Sequence, residues 1–280
     1  MKISLSKSAG FCVGVKRAID IALRAAKSYK NVYMLGDIVH NEAVSEKMAQ
    51  AGIKKTKRLL PGKDRVFLVR AHGVPLDIVK KAKLLGYKII DATCPMVKQI
   101  HRIVHRMENR DYKIIIIGDH KHDEVQGIKG QLESRAIVIQ DYKNIPLKKI
   151  RKIKKACAVA QSTQDTRQTL KIIGKLKKYI PDLKFFDTIC SATKIRQEEI
   201  TIMPAQKDLM IIIGSRSSAN TKRLYEISKS INKKSYWINS RAEIQRDWFN
   251  NAKEVGITAG ASTPKETIRS IVDYISRIKP

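Results

Sequence analysis

Short apolar runs alternate along the chain with longer stretches in which apolar residues recur every three or four positions. The runs predict strands and the periodic stretches predict amphipathic helices. The predicted strands are Val32–Leu35, Val66–Val69, Lys88–Ile90, Lys113–Ile117, Ala136–Ile139, Ala156–Ala160, Leu183–Phe186, Leu209–Ile213, Tyr236–Ile238 and Glu254–Ile257. The predicted helices are Val15–Ser28, Asn41–Ala51, Leu76–Leu85, Met96–Arg110, Asp165–Tyr179, Thr193–Met203, Thr221–Ser230 and Lys265–Ile278. This alternation indicates an α/β fold with parallel sheets.

The loops that follow the predicted strands concentrate reactive side chains. They hold two of the four cysteines and four of the six histidines. Because the carboxyl ends of parallel strands share one edge of a sheet, such loops are where sites form. The pattern therefore predicts one composite site built from many loops.

Two segments 96 residues apart end an apolar strand in the same way. They read "KIIDATCP" at 88–95 and "KFFDTICS" at 184–191, and in each the apolar run is followed by Asp-x-x-Cys. This repetition indicates repeated lobes, although the matching stretch is short.

Composition places the chain among globular proteins. It has 280 residues, 43% of them hydrophobic and 29% charged, and length alone suggests about two domains. The apolar runs are far too short to span a bilayer, and the N-terminus lacks the apolar region of a signal peptide. We expect a cytoplasmic protein that does not bind membranes.

The net charge of +30 has two interpretations. Lysines are scattered over most predicted helices, which favours a solvated basic surface; an acidic partner, a phosphorylated ligand or nucleic acid is the alternative. The densest basic block is "KNIPLKKIRKIKK" at 143–155, with 7 basic residues in 13.

The four cysteines fall into two groups. Cys157 lies inside the apolar run "ACAVA", which predicts a buried structural residue. Cys12, Cys94 and Cys190 lie just before predicted helices, where thiols make good ligands. Three thiolates suit an iron–sulfur cluster with one open iron, but their spacing also allows a zinc site with three cysteines and a histidine, or three unrelated buried cysteines.

Histidines and hydroxyl-rich loops indicate an anionic ligand. His40, His72 and His122 each follow a strand, and "GSRSSANTKRL" and "TAGASTPKE" each open a helix. Helix N-termini bind phosphate groups, although simple capping is the alternative; Thr263 and Glu266 are expected to form a capping box. Without a Walker A loop or a complete GxGxxG, a phosphate or diphosphate on a small molecule fits best.

Glu124 is the predicted acid. It lies two residues after His122, so on an extended loop both side chains would face one cavity. An acid there can protonate a leaving hydroxyl, and Ser162 and Thr163 are the predicted relay.

Nine motifs run in order along nearly the whole chain: "GFCVGVKRAI", "VHN", "AHGV", "DATCP", "HDEVQG", "QST", "DTICSAT", "SSANT" and "TAGAST". Through them the chain resembles the LytB/IspH family of 4-hydroxy-3-methylbut-2-enyl diphosphate reductases, enzymes of the non-mevalonate isoprenoid pathway. The resemblance implies reductive dehydroxylation of a prenyl diphosphate substrate to isopentenyl and dimethylallyl diphosphate.

The resemblance also implies a fold and a set of site residues. The fold would be a trefoil of three pseudo-equivalent α/β lobes around a central [4Fe-4S] cluster. The lobes would span residues 13–93, residues 94–189, and residues 1–12 with 190–280. Cys12, Cys94 and Cys190 would hold the cluster, and Glu124 would be the proton donor. The diphosphate pocket would comprise His40, His72, His122, Ser162, Ser218, Asn220 and Ser262.

Three positions depart from the family pattern: Ser162 stands for a threonine, Ala219 for a serine and Asp123 for a common proline. We further expect an acidic electron donor such as ferredoxin or flavodoxin, no nucleic-acid partner, and a monomer or homodimer. Residues 148–155 of the basic block are the first candidate surface for that donor. Two rival functions remain open, a zinc-containing nucleic-acid binder and a metal-free sugar-phosphate binder.

Overall fold

The computed structural model describes residues 1–278, so the last two residues of the third predicted lobe lie outside the described chain. These residues form two compact units. The first comprises Met1–Lys16, His40–Glu46 and the chain from Ser191 onward, and the second comprises Arg17–Val39 and Lys47–Cys190. Helices α1 (Val13–Ser28) and α2 (Glu42–Gln50) have residues in both units.

The first unit contains one parallel sheet of four strands. In spatial order these are β1 (Lys2–Leu5), β12 (Glu254–Ala259), β10 (Leu209–Ile213) and β11 (Ser235–Ile238). Its helices are α8 (Ser191–Ile202), α9 (Ala219–Ile231) and α10 (Lys265–Ser276). Every residue of β10 is buried, as is typical of a parallel strand covered on both faces.

The second unit contains two parallel sheets of four strands. The spatial order of the first is β3 (Lys54–Thr56), β2 (Val32–Leu35), β4 (Val66–Val69) and β5 (Lys88–Asp91). That of the second is β7 (Ile137–Ile139), β6 (Lys113–Ile117), β8 (Lys155–Ala160) and β9 (Asp182–Phe186). The remaining helices are α3 (Leu76–Leu84), α4 (Pro95–Glu108), α5 (Asp123–Lys129), α6 (Leu147–Ile150) and α7 (Thr166–Lys177).

The apolar run of β6 serves two cores at once. Ile115 and Ile117 belong to one buried cluster and Ile114 and Ile116 to the other, because successive side chains of a strand point to opposite faces. This explains why the run is uninterrupted, with no polar residue on either face.

All three sheets have the same strand arrangement. In each, an edge strand precedes a cysteine: β1 precedes Cys12, β5 precedes Cys94 and β9 precedes Cys190. The neighbours of these edge strands are β12, β4 and β8, followed by β10, β2 and β6, and the opposite edges are β11, β3 and β7. The predicted α/β fold with three equivalent parallel sheets is thus confirmed, whereas the lobe boundaries stay a prediction.

The sequence pattern missed several short elements. Strands β1 and β3 were not predicted, because "KISL" and "KKT" mix apolar and polar residues. Helices α5 and α6 have only seven and four residues, too few to show a helical period.

No helix among the described residues is both long and apolar enough to cross a membrane.

Candidate active site

The repeated Asp-x-x-Cys segments form the same turn in the second unit. The backbone N–H of Thr93 donates to Asp91 Oδ1 over 2.8 Å, and that of Ile189 donates to Asp187 Oδ1 over 3.3 Å. A carboxylate that accepts the N–H two residues later defines an Asx turn. The repetition therefore encodes a turn that directs the chain from the edge strand to the cysteine.

Each of the three cysteines is also held through its backbone. The N–H of Cys94 donates to the carbonyl of Ala71 over 2.9 Å, and that of Cys190 to Ser162 over 3.0 Å. In the first unit, the N–H of Cys12 donates to the carbonyl of Ala261 over 3.1 Å. Each acceptor lies two residues after the end of the strand that neighbours the edge strand: Ala71 after β4, Ser162 after β8 and Ala261 after β12. The hydrogen bonds between neighbouring strands therefore continue to the cysteine.

The structure separates these cysteines from the fourth. Cys12, Cys94 and Cys190 are partly exposed and each directly precedes a helix, and none of the described cysteines forms a disulfide. Cys157 is completely buried in β8, and this burial raises the pKa of its thiol to about 12. The predicted burial of Cys157 is thus confirmed, and a thiol that stays protonated is a poor ligand.

Glu124 is a buried acid with a defined partner. Its side chain is 1% exposed, and Ser162 donates to it twice: from N–H to Oε1 over 2.5 Å and from Oγ to Oε2 over 2.7 Å. The carbonyl of Ser162 accepts the N–H of Cys190. A continuous chain of hydrogen bonds thus links Glu124, Ser162 and Cys190 within the second unit.

His122 and Glu124 do not lie on an extended loop, so that expectation was wrong. His122 is the N-cap of α5, and its Nδ1 accepts the backbone N–H of Glu124 over 3.1 Å. A helix forms here because the imidazole satisfies an N–H that has no intrahelical partner. Since Nδ1 accepts, the neutral ring carries its proton on Nε2.

The rings of His72 and His122 meet edge to face in the second unit. Their centroids are 5.4 Å apart and their planes are inclined by 85°. His72 belongs to the turn after β4, in which Gly73 adopts φ +72° and its N–H donates to the carbonyl of Arg70 over 3.0 Å. The two loops are therefore packed against each other.

Thr163 differs from Ser162 in its partner. Its Oγ1 accepts from Gln161 Nε2 over 3.0 Å, and Gln161 Oε1 accepts the N–H of Asp119 over 3.0 Å. Gln161 is fully buried and joins the loops after β6 and β8. Sequence reasoning missed this residue, although it directly precedes Ser162 in the "QST" motif.

In the first unit, the start of α9 gathers polar groups. Ser218 is the N-cap, and its side chain accepts the N–H of Thr221 over 3.3 Å. Asn220 is 5% exposed, and its Nδ2 has no hydrogen-bond partner within the described residues. Ala219, which stands where the family pattern has a serine, is the first residue of the helix.

His40 and Ser262 are joined directly, since Ser262 Oγ donates to the carbonyl of His40 over 3.0 Å. Ser215, which sequence reasoning did not select, donates to Glu42 Oε1 over 2.7 Å. Its hydroxyl also lies 2.7 Å from that of Ser217. The first unit thus brings together loops that are far apart in sequence.

The expected capping box at the start of α10 is absent from the described structure. Pro264 is the N-cap, and its side chain has no atom that could accept a capping hydrogen bond from the helix. Thr263 Oγ1 instead donates to the carbonyl of Ile213 over 3.1 Å. The hydroxyl therefore fastens this loop to the end of β10 and does not cap the helix.

Comparisons with known proteins agree over the full length of the chain. A family profile described as LytB protein matches residues 3–276. The 4-hydroxy-3-methylbut-2-enyl diphosphate reductase of Clostridioides difficile (strain 630) is 37% identical and the alignment covers 99% of this chain and 100% of that protein. The enzyme of the same name from Aquifex aeolicus (strain VF5) is 35% identical, and the alignment covers 99% of this chain and 96% of that protein.

Solved structures match as well. The structure of (E)-4-hydroxy-3-methyl-but-2-enyl diphosphate reductase, described as the terminal enzyme of the non-mevalonate pathway, has a TM-score of 0.72 and 35% identity, covering 99% of both chains. The E-1-hydroxy-2-methyl-but-2-enyl-4-diphosphate reductase from Plasmodium falciparum has a TM-score of 0.91 and 29% identity, covering 98% of this chain and 88% of that one. The chain belongs to the LytB family.

Proposed function

We propose that this protein is a 4-hydroxy-3-methylbut-2-enyl diphosphate reductase, which removes the allylic hydroxyl group of its substrate and forms isopentenyl and dimethylallyl diphosphate. The full-length similarity to proteins of that name supports this function. The observation that carries it is the buried chain of hydrogen bonds from Glu124 through Ser162 to Cys190. Through Ser162 these hydrogen bonds connect an acid to the backbone of one of the three cysteines that precede helices.

Cys12, Cys94 and Cys190 would hold an iron–sulfur cluster of the [4Fe-4S] type. The donor set fits this group: three thiols precede helices, whose N-terminal dipole favours the thiolate, and soft thiolates suit iron–sulfur clusters. When bound, the cluster supplies electrons and a Lewis-acidic iron for the hydroxyl oxygen. Cys157 would not take part, because its thiol is buried and stays protonated.

Glu124 would hold the proton for the leaving hydroxyl. Removing a hydroxyl group as water and replacing it with hydrogen requires two electrons and two protons. One proton goes to the oxygen and the other to the allylic carbon. The N–H and hydroxyl of Ser162 orient the Glu124 carboxyl group, so Ser162 is the nearer relay, while Thr163 is bonded to Gln161.

The diphosphate would be bound by the hydroxyl and N–H donors of the residues that the resemblance selects. In the first unit these are the start of α9, with Ser218 and the unused amide N–H of Asn220, together with Ser262 and His40. In the second unit they are His72 and His122. Helix N-termini and imidazole rings offer N–H donors without bringing further negative charge.

The experiment is an anaerobic assay of the purified protein with a chemical reductant and the substrate. We expect both prenyl diphosphates by mass spectrometry, and bound iron and sulfide in the wild-type protein. Cys94→Ser should lose iron and turnover, whereas the matched control Cys157→Ser should keep both. Absence of product from iron-loaded wild-type protein, or full iron content in Cys94→Ser, would refute the proposal.

Other expectations stay predictions. These are the acidic electron donor, the monomeric or homodimeric state, the cytoplasmic location and the three-lobe boundaries.

A further inference from the structure

A partly buried ion pair joins two of the site loops in the second unit. Arg70 Nη1 lies 2.5 Å from Asp123 Oδ2, and the two side chains are 14% and 30% exposed. Arg70 directly follows β4 and lies two residues before His72. Asp123 is the first residue of α5 and lies between His122 and Glu124. One contact thus links the loop of His72 to the loop of His122 and Glu124.

The backbone at Gly36 leaves room for the guanidinium of Arg70. Gly36, in the loop after β2, has φ +78°, and a Cβ atom there would lie 2.5 Å from Arg70 Nη1. A side chain at position 36 would therefore displace the guanidinium. The carbonyl of Arg70 accepts the N–H of Gly73, so the same residue also begins the tight turn that carries His72.

A second contact joins the same two elements. A Cβ atom at Gly127, one turn further along α5, would lie 3.3 Å from the carbonyl oxygen of His72. Helix α5 thus packs closely against the His72 turn, and the ion pair lies at its first residue. Breaking the pair by removing one partner leaves a charge largely shielded from water, which favours reorganisation of the loops.

We propose that Arg70 and Asp123 are positioning residues that hold His72, His122 and Glu124 in their working arrangement. This inference rests on the proposed reductase function, since it concerns the placement of that function's acid and histidines. Asp123 neutralises Arg70, so the pair acts through geometry and does not add charge for the substrate. The first turn of α5 also favours an acidic residue at this position.

The test compares Arg70→Met, Asp123→Ala and the double variant with the wild-type holoenzyme under anaerobic conditions. Each single variant should lower kcat by roughly 10- to 100-fold, the effect expected when a reacting group is misplaced by about 1 Å, with KM within about threefold of wild type. The double variant should be no slower than the slower single variant, because the two residues act as a unit.

A matched control exists in the first unit. Lys207 Nζ lies 2.6 Å from Glu254 Oε2, and these side chains are 12% and 34% exposed. Glu254 begins β12, at the end of the sheet opposite to the site loops. Lys207→Met with Glu254→Ala should leave kcat within about twofold of wild type, because a remote ion pair adds only general stability.

Hydrogen–deuterium exchange gives a readout that does not depend on activity. Amides of residues 119–127 should exchange at least about tenfold faster in both single variants and at the wild-type rate in the control, since local opening follows the loss of local contacts. Unchanged exchange or unchanged kcat in Arg70→Met and Asp123→Ala would overturn the proposal. A KM raised by Arg70→Met and lowered by Asp123→Ala would also overturn it, in favour of direct contact with the diphosphate.

The same data separate this inference from the proposed function. A wild-type holoenzyme that makes no prenyl diphosphate would refute the reductase function. Exchange at residues 119–127 would then decide by itself whether the ion pair orders the two loops.

Discussion

At the scale of single residues, the role proposed for Glu124 depends on its hydrogen bonds with Ser162. A carboxyl group that is 1% exposed is costly to bury unless hydrogen bonds satisfy it, and Ser162 provides two. A serine hydroxyl both donates and accepts, so Ser162 can donate to a carboxylate and accept from a protonated carboxyl group. With Ser162 as its partner, the Glu124 carboxyl group is therefore suited to hold a proton, release it and take up another.

Glu124→Gln tests this role. The amide keeps the size of the side chain and its hydrogen bonding but supplies no proton, so kcat should fall by roughly 10²–10⁴-fold. Substrate binding, measured by calorimetry, should change little, because the proposed diphosphate donors are other residues. Near-normal turnover would show that another group provides the proton. Glu133→Gln, an exposed acid just after α5, is the control.

His101 shows how burial acts on a residue outside the site. It lies on α4 beneath the His72 turn, where a Cβ atom at Gly73 would come within 2.8 Å of its Cε1. Burial lowers the pKa of His101 to about 4, with a smaller opposing effect of Asp91 and a further lowering by Lys98. Its Nε2 is buried and has no hydrogen-bond partner among the described residues.

A pH dependence of stability follows from this depressed pKa. The unfolded chain protonates His101 near pH 6.5, whereas the folded protein does so only near pH 4. The unfolded state therefore binds more protons in this window, and the free energy of unfolding falls as the pH falls. Between pH 7 and 5 the loss from His101 should be about 2 kcal/mol.

Denaturant unfolding of His101→Asn at both pH values measures this contribution. The variant should lose less stability on acidification than the wild-type protein, by about that 2 kcal/mol. His105→Asn, at an exposed position on the same helix, should behave like the wild type. Equal acid sensitivity of the wild type and His101→Asn would contradict the pKa assignment.

At the scale of elements, a residue that leads from edge strand β9 to Cys190 hydrogen-bonds to the neighbouring strand β8. Thr188 lies inside the second Asp-x-x-Cys segment and is 3% exposed. Its Oγ1 donates to the carbonyl of Ala160 over 2.6 Å and accepts the N–H of Ala160 over 2.8 Å. One hydroxyl therefore satisfies both polar groups of a buried residue at the end of β8.

Thr188→Val should lower the free energy of unfolding by roughly 1–3 kcal/mol, because the isosteric side chain leaves the N–H and carbonyl of Ala160 without this partner. Thr188→Ser keeps the hydroxyl and should recover most of the loss. Chemical denaturation of the three proteins gives the measurement. If Thr188→Val were as stable as Thr188→Ser, the hydrogen bonds of Thr188 would not be what holds this edge.

At the scale of the whole molecule, the positions of the lysines bear on where the proposed acidic electron donor would bind. The basic block 143–155 leads into the first residue of β8, whereas Ser162 follows the last. Six residues of strand separate them by about 20 Å. The block begins shortly after the end of β7 and ends at Lys155, so only its last residues are placed at the end of the sheet opposite to the proposed acid, and the docking surface stays a prediction.

Other lysines accompany the cysteines. A lysine follows each of the three by four residues, at Lys16, Lys98 and Lys194. Four residues are about one helical turn, so these charges lie near the start of α1, α4 and α8. Lys16 and Lys194 lie one helical turn after Cys12 and Cys190, and this placement makes them candidates for steering an acidic donor.

Lys16→Glu with Lys194→Glu should slow donor-dependent turnover by about tenfold at low salt and flatten its salt dependence, since steering by exposed charges is screened within about 10 Å at 0.1 M salt. Lys148→Glu with Lys149→Glu makes the same charge change on α6 and should have little effect. Turnover with a small neutral reductant should be unchanged in both. A wild-type rate that does not depend on salt would show that the charge only solvates the surface.

The sequence by itself determined the fold class and the set of candidate side chains. Buried parallel strands need uninterrupted apolar runs, and these runs marked β6, β8 and β10. The loops after such strands carried the candidate side chains, and the Asp-x-x-Cys repeat marked two equivalent turns. Local patterns suffice for these features because strand length, helical period and turn preference depend on neighbouring residues.

Only the tertiary structure decided how the candidate residues are paired. Ser162, and not Thr163, contacts Glu124, Thr263 bonds to β10 instead of capping α10, and Arg70 meets Asp123 across 53 residues. These contacts depend on how neighbouring strands are aligned and on the space left by Gly36 and Gly127. Neither is encoded in a local pattern, because strand alignment is set by packing of the whole sheet and its helices.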